Sequence, residues 1–516
     1  MSTALSKQEL ASKIWETANR LRSKIKANEY KDYILGFMFY KFLSDKEEQF
    51  IVANGETKEI LKSMDEDTRN QILDELGYCI SYNDLFSTWE EMDIHLTTTD
   101  VSDALLRFNQ SVKYEYKRVY DNIFATLYGG LSKFGETMGS RDHAVREVIA
   151  MVGEIPTTSE EYDVMGYIYE FLIFKFATAA KDDGAFYTPH EVSRLISMIV
   201  AKNITDAGIT NVDVYDPTCG SAGLLLTIGD EMQKAGIAKE DIRYYGQEKI
   251  TETYNLSRMN LVMKGCKPAQ IYTRNGDTLE DDWPYFDDIT TYQPVFVNAV
   301  VSNPPYSLRW DPDGKENDNR FKGYGLAPKS KADYAFLLHC LYHLKPEGIM
   351  GIVLPHGVLF RGGSEGEIRK RLIENNQIET IIGLPANLFF STGIPTIIMI
   401  LRKVRTNDDN VLFIDASKEY KSEKKQNVLS EENITKIFDA VVNRKDVDKF
   451  AHLAPKQEII DNDYNLNIPR YVDTFEAEPE IDLDEVRSDI AKYDKAEKDC
   501  IAEINTMMTE LGLKGI

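Results

Sequence analysis

Apolar and polar positions follow two different rhythms along this chain. Over residues 1–150 the apolar positions recur at helical intervals. In "KIWETANRLRSKI", for example, Ile14, Ala18 and Leu21 share one face. The stretch "YKDYILGFMFYKFLSDKEEQF" is apolar or aromatic nearly all round its centre, which predicts a buried helix. Neither strand alternation nor a nucleotide motif stands out, so this region reads as a helical domain, either a partner module or an accessory domain with its own core.

From about residue 160 the rhythm changes to short apolar runs separated by helical stretches. Seven runs qualify as strands: "NVDVYD" (211–216), "RYYGQE" (243–248), "QIYTRNGD" (270–277), "VFVNAVVSN" (295–303), "GIMGIVLP" (348–355), "IETIIGLP" (378–385) and "TIIMILRK" (396–403). Such a series predicts a mostly parallel, doubly wound, Rossmann-like α/β sheet with right-handed crossovers. Ligands on such sheets bind at the carboxyl ends of the strands, where Asp216, Glu248, Asp277 and Asn303 fall. Residues 404–470 are mixed and polar. Beyond Pro479 the positions Val486, Ile490, Tyr493, Cys500, Ile504, Met507 and Leu511 keep a four-three spacing, with Glu497 as the polar break. That spacing predicts a helical seam for a partner helix, or for the chain's own domain.

Composition narrows the picture. The 516 residues, 43% hydrophobic and 28% charged, suit about three globular domains. Neither a run long enough to span a membrane nor a secretory leader is evident, and the five cysteines form no C-x-x-C pair. A cytoplasmic protein with free thiols is expected. The net charge of −24 argues against a freestanding nucleic-acid binder, so any basic surface must be local or supplied by a partner.

The chemistry concentrates at the strand ends. "YDPTCGSAGLLL" is a strand, a turn with Gly220 and Gly223, then a helix. It matches neither the dinucleotide fingerprint nor a P-loop, so a cofactor without phosphates fits best. Glu248 suits ribose hydroxyls, and Asp277 suits an adenine amino group. Together with the glycine turn these acids suggest an adenosine pocket, for S-adenosylmethionine before any other nucleotide. Upstream, in "GAFYTPHEVSRLI", Thr188 before Pro189 reads as a helix cap. A sharper reading has Phe186, Tyr187 and Thr188 covering the methionine end of the cofactor.

"VVSNPPYSLRW" ends a strand in Asn303, Pro304, Pro305 and Tyr306. The prolines carry no N–H, so the Asn303 amide oxygen and the Pro304 carbonyl stand as fixed acceptors. Two acceptors on an aromatic amino group would localise its lone pair towards a methyl donor. Tyr306 offers a stacking face for a base, which must leave the duplex to reach it.

The ordered set "FYTP", "DPTCGSAG", "GQE", "NGD" and "NPPY" resembles amino-group DNA methyltransferases. It most resembles the modification subunit of type I restriction–modification systems. Nearly the whole chain takes part, including "DYAFLLHCLYHLKPEGIMGIVLPHGVLFRGG" and "YNLNIPRYVDTF". The resemblance implies a seven-stranded S-adenosylmethionine-dependent methyltransferase sheet acting on adenine N6 (156–470). A helical N-terminal domain (1–155) would precede it, and a helical tail (471–516) would contact a specificity subunit. Two copies of this chain per specificity subunit, a joining restriction subunit and double-stranded DNA with a flipped adenine are also implied. Carried over, Ala185, Phe186, Tyr187, Thr188, Pro189, His190, Ser221, Ala222, Gly223 and Glu248 would bind the cofactor, and Asn303–Tyr306 the adenine. Sequence reading of DNA is then delegated, which accommodates the negative charge. Arg309, Lys315, Arg320 and Lys322 are candidate phosphate contacts on a loop that otherwise reads as solvated.

Rivals are weaker. Cytosine C5 transfer needs a cysteine, typically after proline, and no cysteine follows proline here. Cytosine N4 enzymes usually carry serine at the Asn303 position. Protein glutamine and RNA methyltransferases also use this tetrapeptide, but not with this N-terminal region and heptad tail. A subunit that keeps the fold without catalysis is disfavoured by the intact motifs. His339 and His343 lie on an apolar helical stretch and read as packing residues, so no metal is expected.

Overall fold

The computed structural model describes residues 7–21, 27–156, 188–284, 293–389, 393–406, 408–423, 426–474 and 482–515, with isolated positions between 165 and 175. The chain divides into two compact units, Met1–Val472 and Asp473–Ile516.

The first unit begins with helices, led by Lys7–Leu21 and Ala27–Ala53. The second of these is buried on every side over its middle: Tyr33, Ile34, Phe37, Met38, Phe39 and Tyr40 are all sealed from solvent. Ile14 and Ala18 are buried as their spacing predicts; the Leu21 side chain lies outside the described residues. Tyr40 stacks on Trp89 at 4.6 Å between ring centroids. A carboxylate also lies inside: both oxygens of Glu47 accept the Ile80 N–H, at 3.1 and 2.9 Å. Burial pushes that carboxyl well above its ordinary range.

The α/β region builds one sheet from β1 (Val212–Asp216), β2 (Ile242–Glu248), β3 (Ile271–Asn275), β4 (Val297–Ser302), β5 (Leu344–Pro355), β6 (Ile378–Gly383), β7 (Thr396–Arg402), β8 (Val411–Asp415) and β11 (Ala451–Ala454). The short strands β9 (Lys421–Ser422) and β10 (Asn427–Val428) pair with each other. The sheet order is β11-β8-β6-β7-β5-β4-β1-β2-β3. All seven expected strands are present. The expected count of seven is corrected to nine, because β8 pairs parallel with β6 and β11 closes its free edge antiparallel. Both come from the stretch read as mixed and polar.

β7 runs antiparallel between β5 and β6. The β6–β7 pair places Ile381 opposite Met399 and Gly383 opposite Ile397. Alternation along β7 sends Ile398 and Ile400 into one core and Ile397, Met399 and Leu401 into the other. Both faces are therefore covered, and the site is left to the sheet's carboxyl edge.

Two arginines fix the helical region to the β2–β3 side. Arg258, on helix Thr251–Met263, is 3% exposed and donates through Nη1 to the carbonyls of Val119 (3.1 Å) and Asp121 (2.9 Å). Arg118 answers from the other side, its guanidinium 3.9 Å from the centre of the Tyr272 ring.

The second unit holds the helix Leu483–Glu510, capped by Asp482, which accepts the N–H groups of Asp484 and Glu485. None of its described side chains is buried: Ile490 is 55% exposed and Tyr493 69%. No described helix is long and apolar enough to cross a membrane.

Arg258→Ala would strand two buried carbonyls and the Asn255 amide oxygen, at a cost of about 2–4 kcal/mol. Urea denaturation should show a lower midpoint; an unchanged midpoint would mean that water satisfies those carbonyls.

Candidate active site

The turn after β1 is held from four sides. Cys219 N–H donates to Gln247 O at 2.9 Å, and Ala222 N–H to Cys219 O at 2.7 Å. Gly220 N–H donates to Glu248 Oε2 at 3.1 Å, and Asn260 Nδ2 to the Ser221 carbonyl at 2.6 Å. The Thr278 hydroxyl donates to the Pro217 carbonyl. Gly220 adopts φ +53°, and Ala222 also sits in the left-handed region at +66°, a strain the surrounding bonds hold in place. A Cβ added at Gly220 or Gly223 would meet nothing within 4 Å. The backbone here faces open space in which a ligand fits against it.

Acids surround this turn. Asp216 is 2% exposed and accepts the Thr218 N–H at 3.0 Å. Burial, joined by the nearby Glu248 charge, pushes its carboxyl up to about 7. Glu248 accepts the Ile250 N–H at 2.8 Å besides that of Gly220, and burial raises its carboxyl too. With about four acceptor sites, the Glu248 carboxylate can still take a hydroxyl donor. Asp277 is engaged by Lys249 Nζ at 2.8 Å and by the Leu279 N–H at 3.0 Å.

β4 lies beside β1 in parallel, with Tyr215 opposite Val300. Its end therefore emerges next to the turn, and the Thr218 and Ser302 hydroxyls bond across at 3.1 Å. Asn303 follows, 8% exposed. Its Nδ2 donates to Thr188 Oγ1 at 2.9 Å, and its Oδ1 accepts the Tyr306 hydroxyl at 2.7 Å. The Tyr306 ring meets Phe389 edge to face, with 6.3 Å between centroids. Burial, then the Asp333 charge, keep the Tyr306 hydroxyl protonated. Ser307, at φ +53°, turns the chain away. Asp333 accepts its N–H at 2.7 Å and is itself held by Arg361 at 2.6 Å.

Below the site lies a buried polar knot. Asp282, His339 and His343 bring ligand-type atoms within 4.8 Å of one another. His343 bonds Asp282 at 2.9 Å, and His339 meets the Tyr215 hydroxyl at 2.8 Å. The Arg320 guanidinium lies 3.3 Å from His339 Nδ1, a fixed cation that opposes a second one. Burial, with the charges of His343 and Arg320, holds His339 well below its ordinary value. One expected phosphate contact is corrected here. Arg320 is 3% exposed and serves this knot and Asp318, while Lys315 pairs with Glu280 at 2.8 Å.

A family model described as N-6 DNA Methylase matches residues 160–480, and one described as HsdM N-terminal domain matches residues 10–143. The chain belongs to the N-6 DNA methylase family. It is 33% identical to the type I restriction enzyme MpnII methylase subunit of Mycoplasma pneumoniae, over 97% of this chain and 95% of that protein. It is 31% identical to the MjaVIII methylase subunit of Methanocaldococcus jannaschii, over 95% and 82% respectively. The crystal structure of the type I restriction-modification system methyltransferase subunit from Streptococcus thermophilus matches with a TM-score of 0.82 at 40% identity. That match covers 91% of this chain and all of the other.

In this N-6 DNA methylase, Asp216, Gly220, Ser221, Ala222, Gly223 and Glu248 converge on one turn, and Asn303, Pro304, Pro305 and Tyr306 emerge beside it. Ala185, Phe186 and Tyr187 lie outside the described residues. The capping role expected of Thr188 is corrected. Pro189 is the cap of helix His190–Asp206, and the Thr188 hydroxyl goes instead to Asn303. His190 is exposed at the helix start. Asn260, Asp333, Arg361 and Phe389 escaped the sequence reading, since none sits in a strand-end motif.

The raised Asp216 carboxyl sets a pH dependence. Folding favours its protonated form, a contribution complete below its ordinary value of 3.8 and lost as pH rises through about 7. Asp216→Asn fixes a neutral group, so it should gain on the order of 4 kcal/mol over wild type at pH 8 and less than half of that at pH 5. Urea denaturation at both pH values checks this, and a pH-independent difference would refute it.

Proposed function

We propose that this chain is the modification subunit of a type I restriction–modification system, transferring a methyl group from S-adenosylmethionine to adenine N6 in DNA. The observation that carries the reading is the adjacency of two groups: an open glycine turn at the end of β1, and two acceptors without competing donors at the end of β4.

The residues present suit this cofactor. The open backbone over Gly220 and Gly223 takes its body, the Glu248 carboxylate takes ribose hydroxyls, and buried acid beside the turn favours a cation. Asp277 would have to share its carboxylate between Lys249 and the adenine amino group of the cofactor. Ala185, Phe186, Tyr187, Thr188, Pro189 and His190 complete the pocket in this reading. When bound, the cofactor supplies an electrophilic methyl group on a sulfonium.

The chain's own residues prepare the nucleophile. Asn303 Oδ1 and the Pro304 carbonyl accept the two hydrogens of the amino group and favour a pyramidal nitrogen with its lone pair exposed. Tyr306, braced edge to face by Phe389, offers a ring face that orients a flipped base. Asn303 has no nucleophilic atom, so transfer is direct, and the spare proton leaves to solvent.

The proposed division is 1–155 helical, 156–470 catalytic and 471–516 for the specificity subunit. Two copies per specificity subunit, a restriction subunit and a cytoplasmic setting complete it. The exposed seam of Val486, Ile490, Tyr493, Ile504, Met507 and Leu511 suits a helical partner. Deleting 480–516 should abolish co-purification with that partner, and retained co-purification would exclude the tail as the contact.

The deciding assay uses labelled S-adenosylmethionine and genomic DNA from a host lacking the system, with the chain alone and with its neighbouring-gene partner. N6-methyladenine only with the partner is the expected result. Asn303→Ala in the same complex should lose methylation and keep cofactor binding; equal loss of both would remove its assigned role. No DNA product in either case would redirect the search to protein or RNA.

A further inference from the structure

Thr188 and Asn303 lie 115 residues apart, yet the Thr188 hydroxyl is the partner that takes the Asn303 Nδ2 proton, at 2.9 Å. The other end of the same amide is held by the Tyr306 hydroxyl, at 2.7 Å. The terminal torsion of asparagine is broad and nearly two-fold, so an unheld amide would sweep its oxygen over a wide arc. Two bonds at opposite ends stop that motion. They also use one N–H and one lone pair, which leaves one Oδ1 lone pair with a fixed direction.

Among the described residues, helix capping does not compete for this hydroxyl. Helix His190–Asp206 takes Pro189 as its cap and receives no side-chain cap bond, so Thr188 Oγ1 is not spent there. The following proline fixes its own φ at −53° and is buried, which holds the approach of Thr188 to the clamp.

We propose that Thr188 is a positioning residue for methyl transfer: its hydroxyl locks the Asn303 amide in the plane from which Oδ1 receives the substrate amino group. This rests on the reading above, in which Asn303 is the acceptor. It separates Thr188 from the residues that only line the cofactor. It also makes Thr188, two residues before helix His190–Asp206, part of the base clamp.

The test uses the complex with the specificity partner, host DNA lacking the modification, and S-adenosylmethionine. Thr188→Val keeps the side-chain volume and removes the hydroxyl. Single-turnover methylation should fall roughly 10- to 100-fold, as small misplacements of a reacting group do. The cofactor Kd should change far less than the rate, since Thr188→Val keeps the side-chain volume in the pocket and removes only the hydroxyl that goes to Asn303. Thr188→Ser should recover most of the lost rate. Thr188→Val added to Asn303→Ala should cost nothing further, because the two act as one unit. If Thr188→Val fails to fold, Tyr306→Phe releases the amide from its other end and should give the same loss of rate at unchanged cofactor Kd. A wild-type rate in Thr188→Val, or a loss matched by an equal loss of cofactor affinity, overturns the proposal. If Asn303→Ala is inactive while Thr188→Val is fully active, this inference alone falls. Should Asn303→Ala methylate normally, the acceptor reading falls as well.

Discussion

The parallel pairing of β1 with β4 is the contact on which the site depends. Parallel neighbours deliver their carboxyl ends to the same edge, and each end here carries half of the chemistry. The Thr218–Ser302 bond then ties the two ends just where they leave the sheet. Had the strands been separated by one position in the sheet order, the glycine turn and the proline clamp would stand about one strand spacing, near 5 Å, further apart. Methyl transfer tolerates no such gap.

Both halves are made rigid by spending backbone groups rather than by bulk. The turn after β1 commits its N–H groups to Gln247, Cys219 and Glu248, and its Ser221 carbonyl to Asn260. The clamp after β4 removes donors altogether through its prolines, and Asp333 with Arg361 fixes the exit. Electrostatics follow from the same enclosure. Asp216, Glu248 and Asp333 are all raised by burial, so the floor of the site is a set of carboxyls held out of water by their hydrogen-bond partners. In the reading proposed here, that floor meets a cationic cofactor.

The helix Thr251–Met263 joins this local rigidity to the rest of the first unit. Asn260 on it grips the turn after β1, and two residues earlier Arg258 grips the helical region through two carbonyls. One element thus carries both attachments, so the helical region is anchored to the half of the sheet beneath the turn and away from the clamp. The negative net charge of the chain is consistent with a catalytic body whose DNA contacts are arranged locally and by its partner.

The strand-end motifs were readable in the sequence because they are local. Periodicity marks β1 to β7, Gly220 marks a turn that needs φ above zero, and two adjacent prolines mark acceptors without donors. Those features depend on residues that are neighbours in the chain. What the sequence left undecided depends on distant residues meeting. β8 is a short apolar run inside a mostly polar stretch, and its place beside β6 and β11 is set only by the fold. Asn260, Asp333 and Phe389 join the site only through packing, at separations no motif spans. Thr188 is the sharpest case. Alone, a threonine before a proline at a helix start is a cap, and only the fold turns its hydroxyl towards Asn303. Local propensity offers each polar group several partners, and tertiary packing decides which of them is within hydrogen-bond reach.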